Sequence, residues 1–322
     1  MKQRIIPIFL ILCLLAGCGS TAAPPEDGGK LTVLATTYPV YLFASAVTGG
    51  VEGVTVERLD TGSVSCLHDY TLSVTDMKKI EGADIIAMNG AGLEDFMDDA
   101  LAASDAAVID CSQGVELLFT LEHSHEHEEE GAGHDHDHGD YDPHIWMDPE
   151  NAVIMVENLV QGLSQADPEH QEAYRDNGLG ATALLGSWDD ALADILAQLR
   201  EIKPEVSVSG LVTFHDGFQY FANAYDLPLL AAIEEEAGSE ASAKEILEIT
   251  QLVQEHKIPV IFTEVNGSDA TANAIARETG CQVAQLSMCM DGPDGELSNY
   301  FDALMDNMIA IVNGFAGEEV VS

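Results

Sequence analysis

Short apolar runs alternate with longer amphipathic stretches along this chain. The first part of the chain has three almost continuously apolar runs, at 31–38 (LTVLATTY), 83–90 (ADIIAMNG) and 106–112 (AAVIDCS). Four more lie towards the other end, at 206–216, 227–233, 258–265 and 281–287. Such continuous runs predict strands that are buried on both faces, as in a parallel sheet.

The stretches between these runs have the spacing of helices, for example at 75–82 (TDMKKIEG), 93–104 (LEDFMDDALAAS) and 241–257 (ASAKEILEITQLVQEHK). Strand followed by helix, repeated in two blocks, predicts an α/β protein of two lobes. Each lobe should contain a mainly parallel sheet flanked by helices. We place the N-terminal lobe at 30–166 and the C-terminal lobe at 204–322.

The N-terminal lobe should end in a helix that begins near Asp148. Asp148 is suited to cap this helix and Pro149 to occupy its first turn. An apolar face then follows at helical spacing, formed by Val153, Val156, Leu159, Val160 and Leu163. These residues mark one face of the predicted helix.

A long backbone helix, residues 167–203, is predicted to bridge the two lobes. As one helix it would be about 50 Å long, at 1.5 Å per residue. Gly178, Gly180 and Gly186 each cost about 1 kcal/mol relative to alanine, so a break near 177–180 stays open. In either case the helix would be a stiff connection, and ligands of such sheets bind beyond the carboxyl ends of the strands. The cleft between the lobes is therefore the predicted binding site.

The N-terminus has the pattern of a secretion signal. Lys2 and Arg4 precede an apolar run from Ile5 to Leu15, which is too short for a membrane span of about 20 residues. The following residues, Ala-Gly-Cys18, complete a sequence that resembles a bacterial lipobox. We predict a lipoprotein signal peptide at 1–18, with Cys18 as the lipid anchor and 19–29 as a flexible tether. An ordinary cleaved signal is the alternative, and both place the protein outside the cytoplasm.

The net charge narrows the class of partner, and the cysteine content limits the disulfides that can form. The 322 residues include 56 acidic and 12 basic ones, for a formal net charge of −44, which excludes nucleic acid as a partner and favours cations. Beyond the signal peptide four cysteines remain, and disulfides are allowed in this compartment. Three complete pairings exist; we favour Cys281 with Cys289, because they are close in sequence, and leave Cys66 and Cys111 open.

Four residues able to bind metal lie at or after the ends of apolar strands or beside a helix start. They are His68, His144, His215 and Glu264, two from each lobe. Three imidazoles and one carboxylate make a suitable four-coordinate zinc shell, whereas manganese sites contain more oxygen ligands. The alternative for each histidine is a hydrogen-bonded structural role, and for Glu264 a surface or capping role.

A histidine- and acid-rich segment, residues 122–142, precedes His144. It contains nine acids and six histidines, which are His123, His125, His127, His134, His136 and His138. This composition cannot bury a core, so we expect a mobile loop that collects metal in several weak arrangements. The alternative is a solvated insertion with incidental metal affinity.

Three motifs carry a resemblance to a known family: DPHIWMDP, TFHDGFQYFA and IFTEVNGSDATANAIARETG. They resemble those of the zinc-binding, ZnuA-like (cluster A-I) solute-binding lipoproteins of bacterial metal ABC transporters. The resemblance extends over nearly the whole chain after the tether. It implies two lobes bridged by a rigid helix, with Zn²⁺ bound between them as cargo and delivered to a membrane permease with a cytoplasmic ATPase. It further implies a monomer that is not an enzyme.

The resemblance also implies a ligand set, which is His68, His144, His215 and Glu264. A histidine at the position of His215 is typical of zinc-binding members, and glutamate there of manganese-binding ones. The segment GSVSCLHDYTLSVTD lacks the Asp-Pro that usually precedes the first ligand, and it brings in Cys66 as a possible extra ligand. Adjacent carboxylates that could orient the histidines are Asp69, Asp142 and Asp216.

Other functions compatible with a zinc site are a surface zinc hydrolase, a metal-storing or adhesive surface protein, and a manganese-binding or adhesin-type member of the same family. A hydrolase would keep three ligands and an open position, with Glu264 as base. The sequence contains neither an HExxH nor a GxSxG motif, which argues against a hydrolase. Uptake of zinc is therefore the leading hypothesis.

Overall fold

A computed structural model describes residues 30–59, 67, 70–120, 141–204, 206–234, 242–265, 269–293 and 295–321. These residues contain two four-stranded parallel sheets. The first has the order β2-β1-β3-β4, formed by β1 (Leu31–Ala35), β2 (Val54–Arg58), β3 (Ile85–Met88) and β4 (Ala107–Asp110). The second has the order β6-β5-β7-β8, formed by β5 (Leu211–His215), β6 (Leu229–Glu234), β7 (Val260–Glu264) and β8 (Gln282–Leu286).

Helices flank both sheets, which confirms the predicted two-lobe α/β fold. Those before the bridging helix are α1 (Tyr38–Thr48), α2 (Val74–Gly82), α3 (Asp98–Ala103) and α4 (Pro149–Ala166). The others are α5 (Gln171–Ile202), α6 (Gln219–Ala224), α7 (Ala243–His256), α8 (Ala270–Thr279) and α9 (Ser298–Ala316). Short 3₁₀ helices occur at Asp95–Met97, Ile145–Met147 and Pro168–His170.

The first strand is shorter than its apolar run predicts. β1 ends at Ala35, and Thr37 caps α1 by accepting a hydrogen bond from the backbone N–H of Val40. Pro39 lies in the first turn of α1, where its missing N–H costs nothing. The run LTVLATTY therefore contains a strand, a turn and a helix start, and the interpretation of all eight residues as a strand is wrong.

The bridging helix is continuous. After a short 3₁₀ turn, α5 runs without a break from Gln171 to Ile202, across all three of its glycines. It packs against α1 and α4 of the N-terminal lobe and against α9 of the C-terminal lobe, so it contacts helices of both lobes. Its buried face includes Leu185 and Leu192, which belong to one apolar core shared between the lobes. The start of α4 is also as predicted, because Asp148 accepts a hydrogen bond from the N–H of Glu150 at 2.8 Å.

The predicted pairing of Cys281 with Cys289 is wrong, because both are free cysteines. They lie beyond opposite ends of β8, a strand of five residues that extends about 3.3 Å per residue. The two ends of the strand are therefore about 13 Å apart, whereas a disulfide requires a Cα separation of about 4.4–6.8 Å. Cys111 is free and buried, and Cys66 lies outside the described residues.

Several predicted features lie outside the described residues. These are the signal peptide with Cys18, the tether, Cys66, His68, and the six histidines His123, His125, His127, His134, His136 and His138. Within the described ranges, no helix combines the length and the apolar character needed to cross a lipid bilayer. The part of the chain that remains, including both sheets and α5, contains the other predicted site residues.

Candidate metal centre

His215 is the last residue of β5, a central strand of the second sheet. All five residues of β5 are buried, and His215 is only 3% exposed. β7 lies beside β5 with Thr213 opposite Phe262, so the chain continues two residues beyond this pair to His215 on one strand and Glu264 on the other. The sheet thus carries both residues to the same edge, at the carboxyl ends of its strands, as the sequence predicted.

His144 is held by the carboxylate of Asp142. The Asp142 Oδ1 accepts the backbone N–H of His144 at 2.9 Å and lies 2.7 Å from its Nδ1. Both side chains are buried, at 1% and 2% exposed. A carboxylate at Nδ1 keeps the ring proton on that nitrogen, because Nδ1–H can then donate to it. The lone pair of Nε2 is therefore left to face the interior.

The two histidines meet at their Nε2 atoms. These nitrogens are 3.2 Å apart, and the ring centroids are 5.0 Å apart with an interplanar angle of 86°. Two nitrogens bound to one tetrahedral zinc at about 2.0–2.1 Å lie about 3.3 Å from each other. The separation of His144 and His215 therefore suits two ligands that share one metal ion.

Glu264 adds a buried carboxylate at the end of β7. The residue is 7% exposed, and its Oε1 has no hydrogen-bond partner among the described residues. The Nδ1 of His215 also has none there. Buried polar atoms without partners are costly, and they are expected where a ligand completes the site. Glu264 is thus buried and has a carboxylate oxygen without a partner in the described part of the chain, as expected of a residue that binds a metal ion.

The structure brings together only part of the predicted ligand set. Among the described residues, no group of three or more His, Cys, Asp or Glu side chains is arranged to hold a metal ion. His144 and His215 are in contact, and Glu264 ends the strand next to that of His215. His68 and Cys66 lie outside the described residues, although Leu67 between them is fully buried in the large apolar core.

Two side chains of the C-terminal lobe, which were not predicted from the sequence, donate hydrogen bonds to Asp142. Gln219 Nε2 donates to Asp142 Oδ2 at 3.1 Å, and the hydroxyl of Tyr220 donates to the carbonyl of Asp142 at 2.9 Å. Burial raises the pKa of Tyr220, so its hydroxyl stays a proton donor. Both residues lie in the motif TFHDGFQYFA, directly after His215, but only the tertiary structure shows what they contact.

A second buried carboxylate, Glu94, lies at the carboxyl ends of β1 and β3. It accepts hydrogen bonds from the Thr36 hydroxyl at 2.6 Å and from the backbone N–H groups of Asn89 and Gly90 at 2.8 and 3.0 Å. Burial raises the pKa of Glu94 to about 7, although these three hydrogen bonds oppose the shift. The Asn89 amide also donates to the carbonyl of Pro143 at 2.9 Å, which joins this network to the segment that carries His144.

Comparison with known proteins identifies the family. The family model of the periplasmic zinc-uptake complex component A, ZnuA, matches residues 33–314. The chain belongs to this family. ZnuA-family proteins are periplasmic metal-binding proteins of ABC uptake systems, and they bind substrate rather than catalyse a reaction. The resemblance stated from the motifs is confirmed.

Individual ZnuA-family relatives differ in the metal that their names state. The zinc-binding lipoprotein AdcA of Streptococcus pneumoniae is 30% identical over 317 residues, covering 97% of this chain and 59% of AdcA. The chain therefore spans about three fifths of the length of such relatives. The manganese ABC transporter substrate-binding lipoprotein PsaA of Streptococcus mitis is 25% identical, covering 96% of this chain and 97% of PsaA. A crystal structure of ZnuA shares the fold, with a TM-score of 0.72 and 23% identity over 88% of this chain and 99% of the other.

Proposed function

We propose that the protein captures Zn²⁺ between its lobes and delivers it to the permease of an ABC transporter. The observation that carries this proposal is the buried contact between the Nε2 atoms of His144 and His215, at 3.2 Å. Asp142 contacts Nδ1 of the His144 ring, so that its Nε2 faces His215. Two imidazoles that converge in this way form half of a four-coordinate zinc shell.

The proposed ligand set is His68, His144, His215 and Glu264. Glu264 supports it by its burial and by its Oε1, which has no hydrogen-bond partner within the described ranges, at the strand end beside that of His215. His68 enters the proposal through the family motif, in which a histidine precedes the tyrosine that corresponds to Tyr70. Cys66 is kept as a possible fifth donor, since a thiolate binds zinc well.

Zinc is the proposed metal rather than manganese because nitrogen donors dominate the set. Imidazole suits zinc, whereas manganese sites are built mainly from carboxylate, carbonyl and water oxygens. The name of AdcA supports this choice, and that of PsaA identifies manganese as the competitor to test. His144 and His215 supply two of these nitrogen donors, at a spacing that one metal ion can bridge.

Delivery to a membrane requires the protein to stay close to it. We propose that Cys18 carries the lipid anchor and that residues 19–29 form the tether, on the outer side of the cytoplasmic membrane. The names of AdcA and PsaA as lipoproteins support this arrangement. The histidine- and acid-rich segment, residues 122–142, is proposed to gather zinc weakly, and a monomer is proposed to contact the permease and its ATPase.

The test compares the intact protein with a form that lacks residues 122–140. We expect both to bind one zinc ion tightly, measured by calorimetry and elemental analysis, and zinc to displace manganese in a competition titration. His144→Ala and His215→Ala should each abolish tight binding, whereas His256→Ala, at the end of α7, should not. The proposal is wrong if deletion of the segment removes all tight binding while the first two substitutions have no effect.

A further inference from the structure

The unit formed by β5 and α6 supplies one histidine of the candidate centre and contacts the residue that holds the other. His215 ends β5, and α6 begins four residues later at Gln219. The first two side chains of α6, Gln219 and Tyr220, both donate hydrogen bonds to Asp142, which in turn holds His144. The unit that supplies one histidine therefore also holds the residue that orients the other.

We propose that Gln219 and Tyr220 are positioning residues that fix His144 against His215 through Asp142. This inference rests on the proposed zinc site, and it adds two residues outside the ligand set. Neither side chain is proposed to touch the metal. Their role is to keep Nε2 of His144 at its short distance from Nε2 of His215 when the cation leaves or arrives.

The two oxygens of the Asp142 carboxylate have different partners, and Gln219 is the partner of one of them. Oδ1 of Asp142 is used by the backbone N–H and the Nδ1 of His144, at 2.9 and 2.7 Å. Oδ2 accepts from the Gln219 amide at 3.1 Å. With one oxygen held from each lobe, the carboxylate cannot rotate away from the ring without breaking a hydrogen bond at a site that is 1% exposed.

Tyr220 fixes the backbone on both sides of the histidine- and acid-rich segment. Its hydroxyl accepts the N–H of Leu118 at 3.0 Å and donates to the carbonyl of Asp142 at 2.9 Å. Leu118 and Asp142 are themselves paired, since the N–H of Asp142 donates to the carbonyl of Leu118 at 2.8 Å. A single buried hydroxyl from α6 thus holds both Leu118 and the residue two positions before His144.

Further contacts hold the chain after His144 to the C-terminal lobe. Trp146 Nε1 donates to the carbonyl of Met288 at 2.9 Å, and the Tyr300 hydroxyl donates to the carbonyl of Trp146 at 2.7 Å. His144 is therefore bracketed by contacts to the lobe that contains His215, although it precedes the bridging helix in the sequence.

The experiment uses two substitutions that remove a donor at nearly constant volume, Gln219→Met and Tyr220→Phe. Tyr225→Phe is the matched control, because that hydroxyl is also buried after α6 but donates to Asp189 instead. Zinc affinity is measured in the intact protein by competition with a chromogenic chelator at one equivalent of zinc. We expect each substitution to weaken the tight site at least about tenfold, the lower end for partners that orient ligands, and the control to leave it unchanged.

A spectroscopic measurement separates positioning from general loss of structure. With ¹⁵N-labelled histidine, the Nδ1–H proton of His144, assigned by its loss in His144→Gln, should be protected from exchange in the metal-free protein. The two substitutions should speed its exchange, whereas the Tyr225→Phe control, which also removes a buried hydroxyl, should leave it unchanged. In an Asp142→Ala background, Gln219→Met should weaken zinc binding no further, because the carboxylate through which it acts is gone.

Unchanged affinity or unchanged protection in the Gln219 and Tyr220 variants would overturn the inference. So would an equal loss from Gln219→Met with and without Asp142, since the residue would then act by another route. If the unsubstituted protein binds no zinc tightly, the proposed function fails and this inference fails with it. If the unsubstituted protein binds zinc tightly and neither substitution changes that affinity, the inference is wrong and the proposed function stands.

Discussion

At the scale of single residues, the orientation of His144 is the feature on which the candidate centre depends most. An imidazole offers a metal the nitrogen that is not protonated, so the partner of its other nitrogen decides which way it binds. In His144 the partner of Nδ1 is Oδ1 of Asp142, at 2.7 Å, and both side chains are buried. An alanine at this position would remove the acceptor, so that the ring could change tautomer or turn.

We therefore expect Asp142→Ala to weaken zinc binding about 10- to 100-fold, the range found when a partner that orients a metal ligand is removed. Competition with a chelator measures the change. Asp167→Ala is the control, because Asp167 also contacts a histidine Nδ1, that of His170, at 2.6 Å but lies at the elbow between α4 and α5. Equal zinc affinity of the Asp142 variant and the control would contradict the role of Asp142.

Which of these residues the sequence could predict depends on the range of the contact. His215 and Glu264 were predicted because an apolar run indicates a strand, and the end of a strand in such a sheet is a site. Asp142 was a candidate through its place beside His144. Gln219 and Tyr220 were not, since their contacts join positions more than 70 residues apart and no local pattern encodes them.

At the scale of elements, α5 shows why local propensity is a weak guide in a packed helix. From the sequence, its glycines allowed a break in the helix. The helix is nevertheless continuous, because its buried leucines hold it to both lobes. The glycines also differ from each other. A Cβ at Gly178 would overlap the side chain of Val160 on α4, whereas a Cβ at Gly180 or Gly186 would meet nothing within 4 Å.

Gly180→Ala and Gly186→Ala should each raise the free energy of unfolding by about 0.5–1 kcal/mol, because alanine loses less backbone entropy in a helix. Gly178→Ala should lower it, since the added methyl group must displace Val160 where α4 and α5 pack. Urea denaturation of the three variants measures these changes. A gain in stability for Gly178→Ala would show that the α4–α5 contact is looser than the structure describes.

Other elements show where the pattern fails. Apolar content alone does not distinguish the end of β1 from the start of α1, because α1 is itself mostly buried and lacks a polar face. The pairing of Cys281 with Cys289 rested on sequence distance, but the strand between them holds them apart. Both errors come from short segments in which the local signal fits two structures.

Glu94, at the ends of β1 and β3, makes stability depend on pH. Burial raises its pKa from 4.5 to about 7, so the folded state binds the proton more tightly than the unfolded state does. Its contribution is most favourable below about pH 4.5 and is lost as the pH rises towards 7. Compared with Glu94→Gln, the unsubstituted protein should lose stability across this window. Parallel pH curves from urea denaturation of the two proteins would contradict the raised pKa.

At the scale of the whole molecule, the loop after β8 reaches from one lobe to the other. Arg58, at the end of β2, donates to the carboxylate of Asp291 at 3.2 Å and to the carbonyl of Gly292 at 3.3 Å. Its guanidinium also lies over the ring of Tyr38, 4.9 Å from the centroid. An exposed ion pair alone contributes little, so the close approach of the backbone at Gly292 is the larger part of this contact.

Gly292→Ala should separate the lobes at this contact. A Cβ there would overlap the ring and hydroxyl of Tyr38, which is 2% exposed and has no room to withdraw. Overpacking of this kind costs about 1–3 kcal/mol, and retreat of the loop relieves it. Because the proposed ligands come from both lobes, we expect a larger radius of gyration by X-ray scattering together with weaker zinc binding. Gly186→Ala, in the exposed part of α5, is the control. Unchanged scattering and unchanged affinity in Gly292→Ala would show that this contact does not determine how the lobes close on the metal.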